Sequence, residues 1–171
     1  MTDKKRLWMR LDNAAKLYPA VRTKNWSNVF RLSATLTELI DPAFLQSALE
    51  STIKRFPSVA MRLRHGFFWY YLEEIPKAPQ VIYERPYPCS KMSGKDIKTC
   101  AFRVLYYENR IAVEFFHSLT DGNGGLVFIK TLAAEYIKQK SGVEIPSVNG
   151  VFNRLEKPDQ RELEDSFLKH H

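Results

Sequence analysis

The stretch Phe115-Phe116-His117-Ser118-Leu119-Thr120-Asp121-Gly122 constrains this chain more than any other. It joins an apolar run of strand character to a segment with helical periodicity, so the fold must pass from a buried strand through a tight turn into a helix. A histidine stands at the strand's exit, and a carboxylate follows four residues later in the turn. His117 shares strand parity with Ile111, Val113 and Phe115, which directs its ring toward the buried side as the strand ends. Burial favours the neutral imidazole, the form that a general base requires. Asp121 can fix the turn by accepting from backbone amides or from an arginine, without touching the imidazole. The glycines that follow, Gly124 and Gly125, permit close approach where the helix begins. The same residues also describe a satisfied core-edge histidine beside an ordinary Asx-type turn. Physical chemistry alone leaves both open.

At 171 residues the chain suits one domain that buries about two-thirds of its extended surface. Its 44% hydrophobic and 13% aromatic content supplies a genuine core. The net charge of +7 favours anionic partners, phosphorylated small molecules among them. The basic residues are scattered, with short clusters at Lys4-Lys5-Arg6 and near Arg62 and Arg64, and no zinc spacing, Gly-rich phosphate loop or aromatic-basic repeat accompanies them. Nucleic acid and metal are therefore not expected. Cys89 and Cys100 lie in different contexts and read as reduced thiols. The sequence has no apolar run near about 18 residues and no signal-peptide stretch, so the expectation is a cytoplasmic protein without a membrane partner.

Residues Leu7 to Tyr18 read as a helix that Pro19 stops, and Val29 to Leu36 as a strand. Asp41 caps the next helix, Pro42 suits its first position, and Leu45, Ala48, Leu49, Ile53 and Phe56 give it one apolar face before Pro57. Val59 to Arg64 alternates as a strand. Gly66 turns the chain into an aromatic strand over Phe67 to Leu72, and Val81-Ile82-Tyr83 forms a short edge. Arg85 to Lys98 reads as loop. Phe102 to Tyr107 and Ile111 to Phe116 make the clearest hairpin, with Glu108-Asn109-Arg110 as its turn. Leu126, Ile129, Ala133, Tyr136 and Ile137 define a second amphipathic helix. The fold class is mixed α/β, a largely antiparallel sheet with flanking helices. After Gly142 the chain turns polar and reads as a connector.

Phe116-His117-Ser118-Leu119-Thr120-Asp121-Gly122 resembles the His-His-x-x-x-Asp-Gly motif of the CoA-dependent acyltransferase superfamily, which includes chloramphenicol acetyltransferase, condensation domains and alcohol O-acetyltransferases. Leu11 to Pro19 is similar to the N-terminal segment of the alcohol acetyltransferase-like members, and the resemblance spans residues 7 to 150. It implies that His117 is the general base, that Asp121 supports the site's architecture, and that Gly122 is the motif glycine. Phe116 departs from the pattern by replacing the first histidine. Arg31, Arg62 and Arg64 are candidate partners for Asp121, each equally suited to a solvated sheet face.

The resemblance further implies acyl transfer from a CoA thioester, most simply acetyl-CoA, to a hydroxyl or amine. No tightly bound cofactor is implied. Members of the family have two lobes with a tunnel between them. On that footing residues 1–142 form the first chloramphenicol acetyltransferase-like lobe, and residues 143–171 are a crossover toward a missing second one. The expectations for the isolated chain are inactivity and pairing through its uncovered face, as a homodimer or larger assembly. The competing class is an inactive binding or structural domain of the same fold.

Overall fold

The computed structural model describes residues 7–11, 28–84 and 86–158. Among these, seven strands form two sheets. Strands β1 (Trp8–Arg10), β3 (Met61–His65) and β4 (Tyr70–Glu74) make an antiparallel sheet ordered β1-β4-β3. Strands β2 (Val29–Thr35), β5 (Ile82–Tyr83), β6 (Phe102–Tyr107) and β7 (Arg110–Phe116) make the second, ordered β2-β7-β6-β5. Only its β5–β6 pair is parallel. Helices α1 (Pro42–Thr52), α2 (Gly94–Thr99) and α3 (Gly122–Ser141) complete the described elements.

The larger sheet positions the site. Residues Ile111 to Phe116 of β7 are buried without a break because this central strand is covered on both faces. On one face α3 packs across β2 and β7 and alongside α1. The Phe128 ring of α3 meets Phe115 and Phe102 edge-on at 5.8 and 5.6 Å, and meets Phe56 at 5.2 Å. Such edge contacts each add about 1 kcal/mol to the stabilisation from apolar burial. Helix α1 starts as the sequence requires: Asp41 Oδ1 accepts from Ala43 N–H at 2.8 Å, and Pro42 occupies the first turn. The Asp41 N–H donates to the Tyr136 hydroxyl at 2.9 Å, tying that start to α3.

The opposite face carries charge, because Arg31 and Glu114 alternate with Phe30 and Phe115 along their strands. Glu114 is 1% exposed and accepts from Arg31 Nη1 at 3.2 Å, Arg103 Nε at 2.7 Å and Cys89 N–H at 2.8 Å. Arg31 also pairs with Glu84 at 2.8 Å, and Arg110 meets the same carboxylate at 2.9 Å. Burial pushes the Glu84 carboxyl up, but hydrogen bonds and charge from Arg31 and Arg110 outweigh it and hold the group below its ordinary range.

Four sequence expectations require correction. Trp8–Arg10 is a strand, not the start of a helix, because it pairs with β4 through Trp8↔Glu73 and Met9↔Leu72; residues 12–27, with the rest of that expected helix, lie outside the described part. The single expected sheet is two. Within the expected loop of residues 85–98, Ser93 and Asp96 form a reciprocal capping box that starts α2. Phe67, Phe68 and Trp69 are the tip of a hairpin, since β4 begins only at Tyr70.

Beyond Gly142, whose φ of 74° ends α3 in the left-handed region, residues 143–158 fold back over the helices. Phe152 stacks on Phe56 at 5.3 Å, and the Arg55 guanidinium lies over the Phe152 ring at 4.5 Å. Phe152 N–H donates to Thr131 Oγ1 at 3.0 Å, and Arg154 pairs with Glu135 at 2.6 Å.

Candidate active site at the strand–turn–helix junction

Strand β7 ends at Phe116, and His117 opens the turn to α3. Two backbone bonds fix this exit. Phe116 N–H donates to Ala101 C=O at 2.9 Å, and His117 N–H to Asn28 C=O at 2.8 Å. Leu119 N–H then closes the turn onto Phe116 C=O at 2.8 Å. Phe116, in the place of the motif's first histidine, is 1% exposed and is part of the core. The His117 imidazole lies 5.0 Å from the Phe30 ring, tilted by 54°. Phe30 stacks on its cross-strand partner Phe115 at 5.2 Å, so the imidazole extends the aromatic row on the face that α3 covers. His117 remains half-buried on this apolar seat.

Asp121 is the N-cap of α3. Its Oδ1 accepts from Gly124 N–H at 2.8 Å, and its carbonyl accepts the first helical bond from Gly125 N–H at 3.0 Å. The helix thus begins at Gly122, four residues before its first periodic apolar residue, Leu126. The glycines differ in their reasons. A Cβ at Gly124 would lie 2.2 Å from Thr120 Oγ1. At Gly125 it would meet Leu32 Cδ1 and Phe115 Cε2 at 3.1 Å and Phe30 Cε2 at 3.2 Å, so its absence lets α3 settle on the rings that seat His117. At Gly122 it would meet nothing within 4 Å.

The arginines considered for Asp121 are engaged elsewhere. Arg31 pairs with Glu84 and Glu114; Arg62 and Arg64 both pair with Glu73, Arg62 Nε at 2.7 Å and Arg64 Nε at 3.1 Å. The close approach at Gly125 was signalled by the glycine itself, but its partner Phe30 and the Asn28 carbonyl had no signal in the local sequence, because they arise from the pairing of β2 with β7. A cavity of about 400 Å³ lies in the lobe, lined by residues of β3, β4 and α2 and by none of the motif residues. Among the described residues no group of acidic, histidine or cysteine side chains has the arrangement to hold a metal ion.

No family model matches the sequence, and neither does any curated protein. Solved structures do. The starter condensation domain of rhizomide synthetase RzmA is similar with a TM-score of 0.64 at 13% identity, over 83% of this chain and 40% of that one. The X-domain from teicoplanin biosynthesis gives 0.62 at 15% identity, over 86% and 36%. Polyketide synthase associated protein 5 from Mycobacterium tuberculosis gives 0.56 at 16%, over 80% and 34%. The chain shares its mixed α/β fold with part of these condensation-domain and X-domain structures. The chain spans between 34% and 40% of the length of these structures. At such identities the likeness speaks for the fold alone.

Proposed function

We propose that this lobe belongs to an acyltransferase that moves an acyl group from a thioester donor to a hydroxyl or, second in order, an amine acceptor, with His117 as general base. The observation that carries the reading is the half-buried imidazole at the strand exit, its backbone tied to Asn28 and its ring seated on Phe30. In the step proposed, an imidazole nitrogen takes the acceptor's proton as its oxygen attacks the thioester carbonyl. The tetrahedral intermediate then collapses, the C–S bond breaks, and the imidazolium returns the proton to the departing thiolate. Asp121 positions rather than reacts: its carboxylate is spent on the first turn of α3. Acetyl-CoA is the simplest donor to test, as a substrate and not a resident cofactor.

Stabilisation of the developing oxyanion is a large part of such catalysis. In this reading it comes from a second lobe, consistent with the share of its structural neighbours that the chain spans. The isolated lobe is then inactive. The decisive experiment uses the protein carrying both lobes. His117→Ala should lower transfer by about a hundredfold or more with the fold intact. Activity within about threefold of the unaltered protein overturns the assignment and favours a binding domain.

A further inference from the structure

The β3–β4 hairpin carries five consecutive aromatic residues, Phe67-Phe68-Trp69-Tyr70-Tyr71. Gly66 N–H donates to Trp69 C=O at 2.7 Å, closing a turn that puts the Phe67 and Phe68 rings outside. These are 91% and 85% exposed with ring centres 5.8 Å apart, and Trp69 is 55% exposed. Two phenyl rings in water at an apex do nothing for folding, and a contiguous apolar protrusion of this kind marks a contact surface. Directly behind it is the cavity of about 400 Å³, whose walls include Leu63, Arg64, His65, Tyr70, Ile97 and Lys98. Leu63 and Ile97 are buried and apolar. Arg64 and Lys98 bring positive charge, and the His65 ring stands edge-on to Tyr70 at 4.7 Å. Glu73 faces Arg64, but Arg62 shares that carboxylate, so two guanidinium groups meet one acid.

We propose that this end of the lobe docks on an anionic phospholipid surface, with the Phe67-Phe68-Trp69 tip entering the headgroup layer and the cavity beside Arg64 and Lys98 receiving a lipid phosphate. A protruding wedge needs a complementary pocket in a protein partner, whereas a fluid interface accommodates it without one. Aromatic side chains settle in that layer, where ring faces meet acyl chains and the indole N–H meets water. Charge complementarity selects an anionic surface, and the net charge of +7 acts in the same direction. The attachment proposed is peripheral, through the tip and the cavity beside it; among the described residues no helix is long and apolar enough to cross a membrane. This departs from the sequence expectation of no membrane partner, which rested on spanning segments.

The test is cosedimentation of the 171-residue chain with vesicles of phosphatidylcholine carrying phosphatidylglycerol at roughly one lipid in three, beside vesicles of phosphatidylcholine alone. The expected result is binding to the anionic vesicles, weakened about tenfold or more by Phe67→Ser with Phe68→Ser and about fivefold by Lys98→Glu. Circular dichroism checks that the double variant keeps its fold. No binding to anionic vesicles, binding that the double variant leaves unchanged, or equal binding to both vesicle types overturns the proposal. Indifference to vesicles together with self-association that the double variant abolishes overturns it too, in favour of a second copy of the chain.

Discussion

The lobe contains two turns of similar length with opposite logic. In the turn from β7 to α3, nearly every residue answers to a contact inside the chain. Asp121 caps the helix, Gly124 makes room for Thr120, and Gly125 admits the rings of Phe30 and Phe115. In the turn from β3 to β4, Gly66 and Trp69 close the hairpin, but the rings of Phe67 and Phe68 meet water. Rings exposed to this degree add little to folding, and contacts among the described residues do not account for their placement. The first turn is mechanically complete and the second is not.

The largest effect expected from this contrast is at Gly125. Gly125→Val drives methyl groups into contacts already at 3.1–3.2 Å, which must lift α3 off β2 and β7. A loss of about 3 kcal/mol in urea unfolding is expected, with a shifted His117 ring signal in NMR spectra. A loss under about 0.5 kcal/mol would show that the helix does not need this seat. Next is Asp121→Ala, which frees the Gly124 N–H and should cost about 1 kcal/mol, the usual worth of an exposed N-cap. Asparagine at the same position should restore most of it. If Asp121 served the imidazole rather than the helix, the alanine variant would unfold like the unaltered chain.

How far each turn was legible follows from the same contrast. The hairpin of β6 and β7 and the helix after Asp41-Pro42 are written locally, in apolar runs and in punctuation by Asn109, Pro42 and Pro57. The place of His117 at the strand's exit was legible in the apolar run that ends there, while its proposed role came from the motif resemblance alone. Its seat was not, because Phe30 lies far away in sequence and reaches it only through the register Phe30↔Phe115. The same nonlocality hid β1, three residues that are a strand solely because β4 lies beside them. Helix α2 was overshadowed by Pro86 and Pro88, although the Ser93–Asp96 capping pair was present to be read. The aromatic run misled in an instructive way. Strand propensity reports the fit to a half-buried pleated surface, and Phe67 and Phe68 have no such surface to fit.

At the tip, then, Phe67→Ser with Phe68→Ser should leave stability within about 0.5 kcal/mol of the unaltered chain, since rings so exposed take little from water on folding. Calorimetry or urea unfolding reads this directly. A loss above about 1 kcal/mol would mean that the rings pack against the body of the lobe, and the contrast between the turns would collapse.

The smallest effect carries the sharpest information, because Gly122 breaks the rule of its own turn. Beside two glycines that sterics demand, it faces open space at the first position of α3, with no positive φ to require it. Alanine there removes backbone freedom from the unfolded chain and improves helix propensity, so Gly122→Ala should stabilise the isolated lobe by about 0.5 kcal/mol. Destabilisation would reveal a contact within the lobe and make all three glycines alike. If instead the lobe gains stability while the protein carrying both lobes loses acyl transfer, the demand for glycine comes from what approaches the start of α3 from outside, either substrate or second lobe. Unfolding of this chain and the proposed acyl transfer by the longer protein, measured for this one substitution, separate what the motif owes to its own fold from what it owes to the proposed reaction.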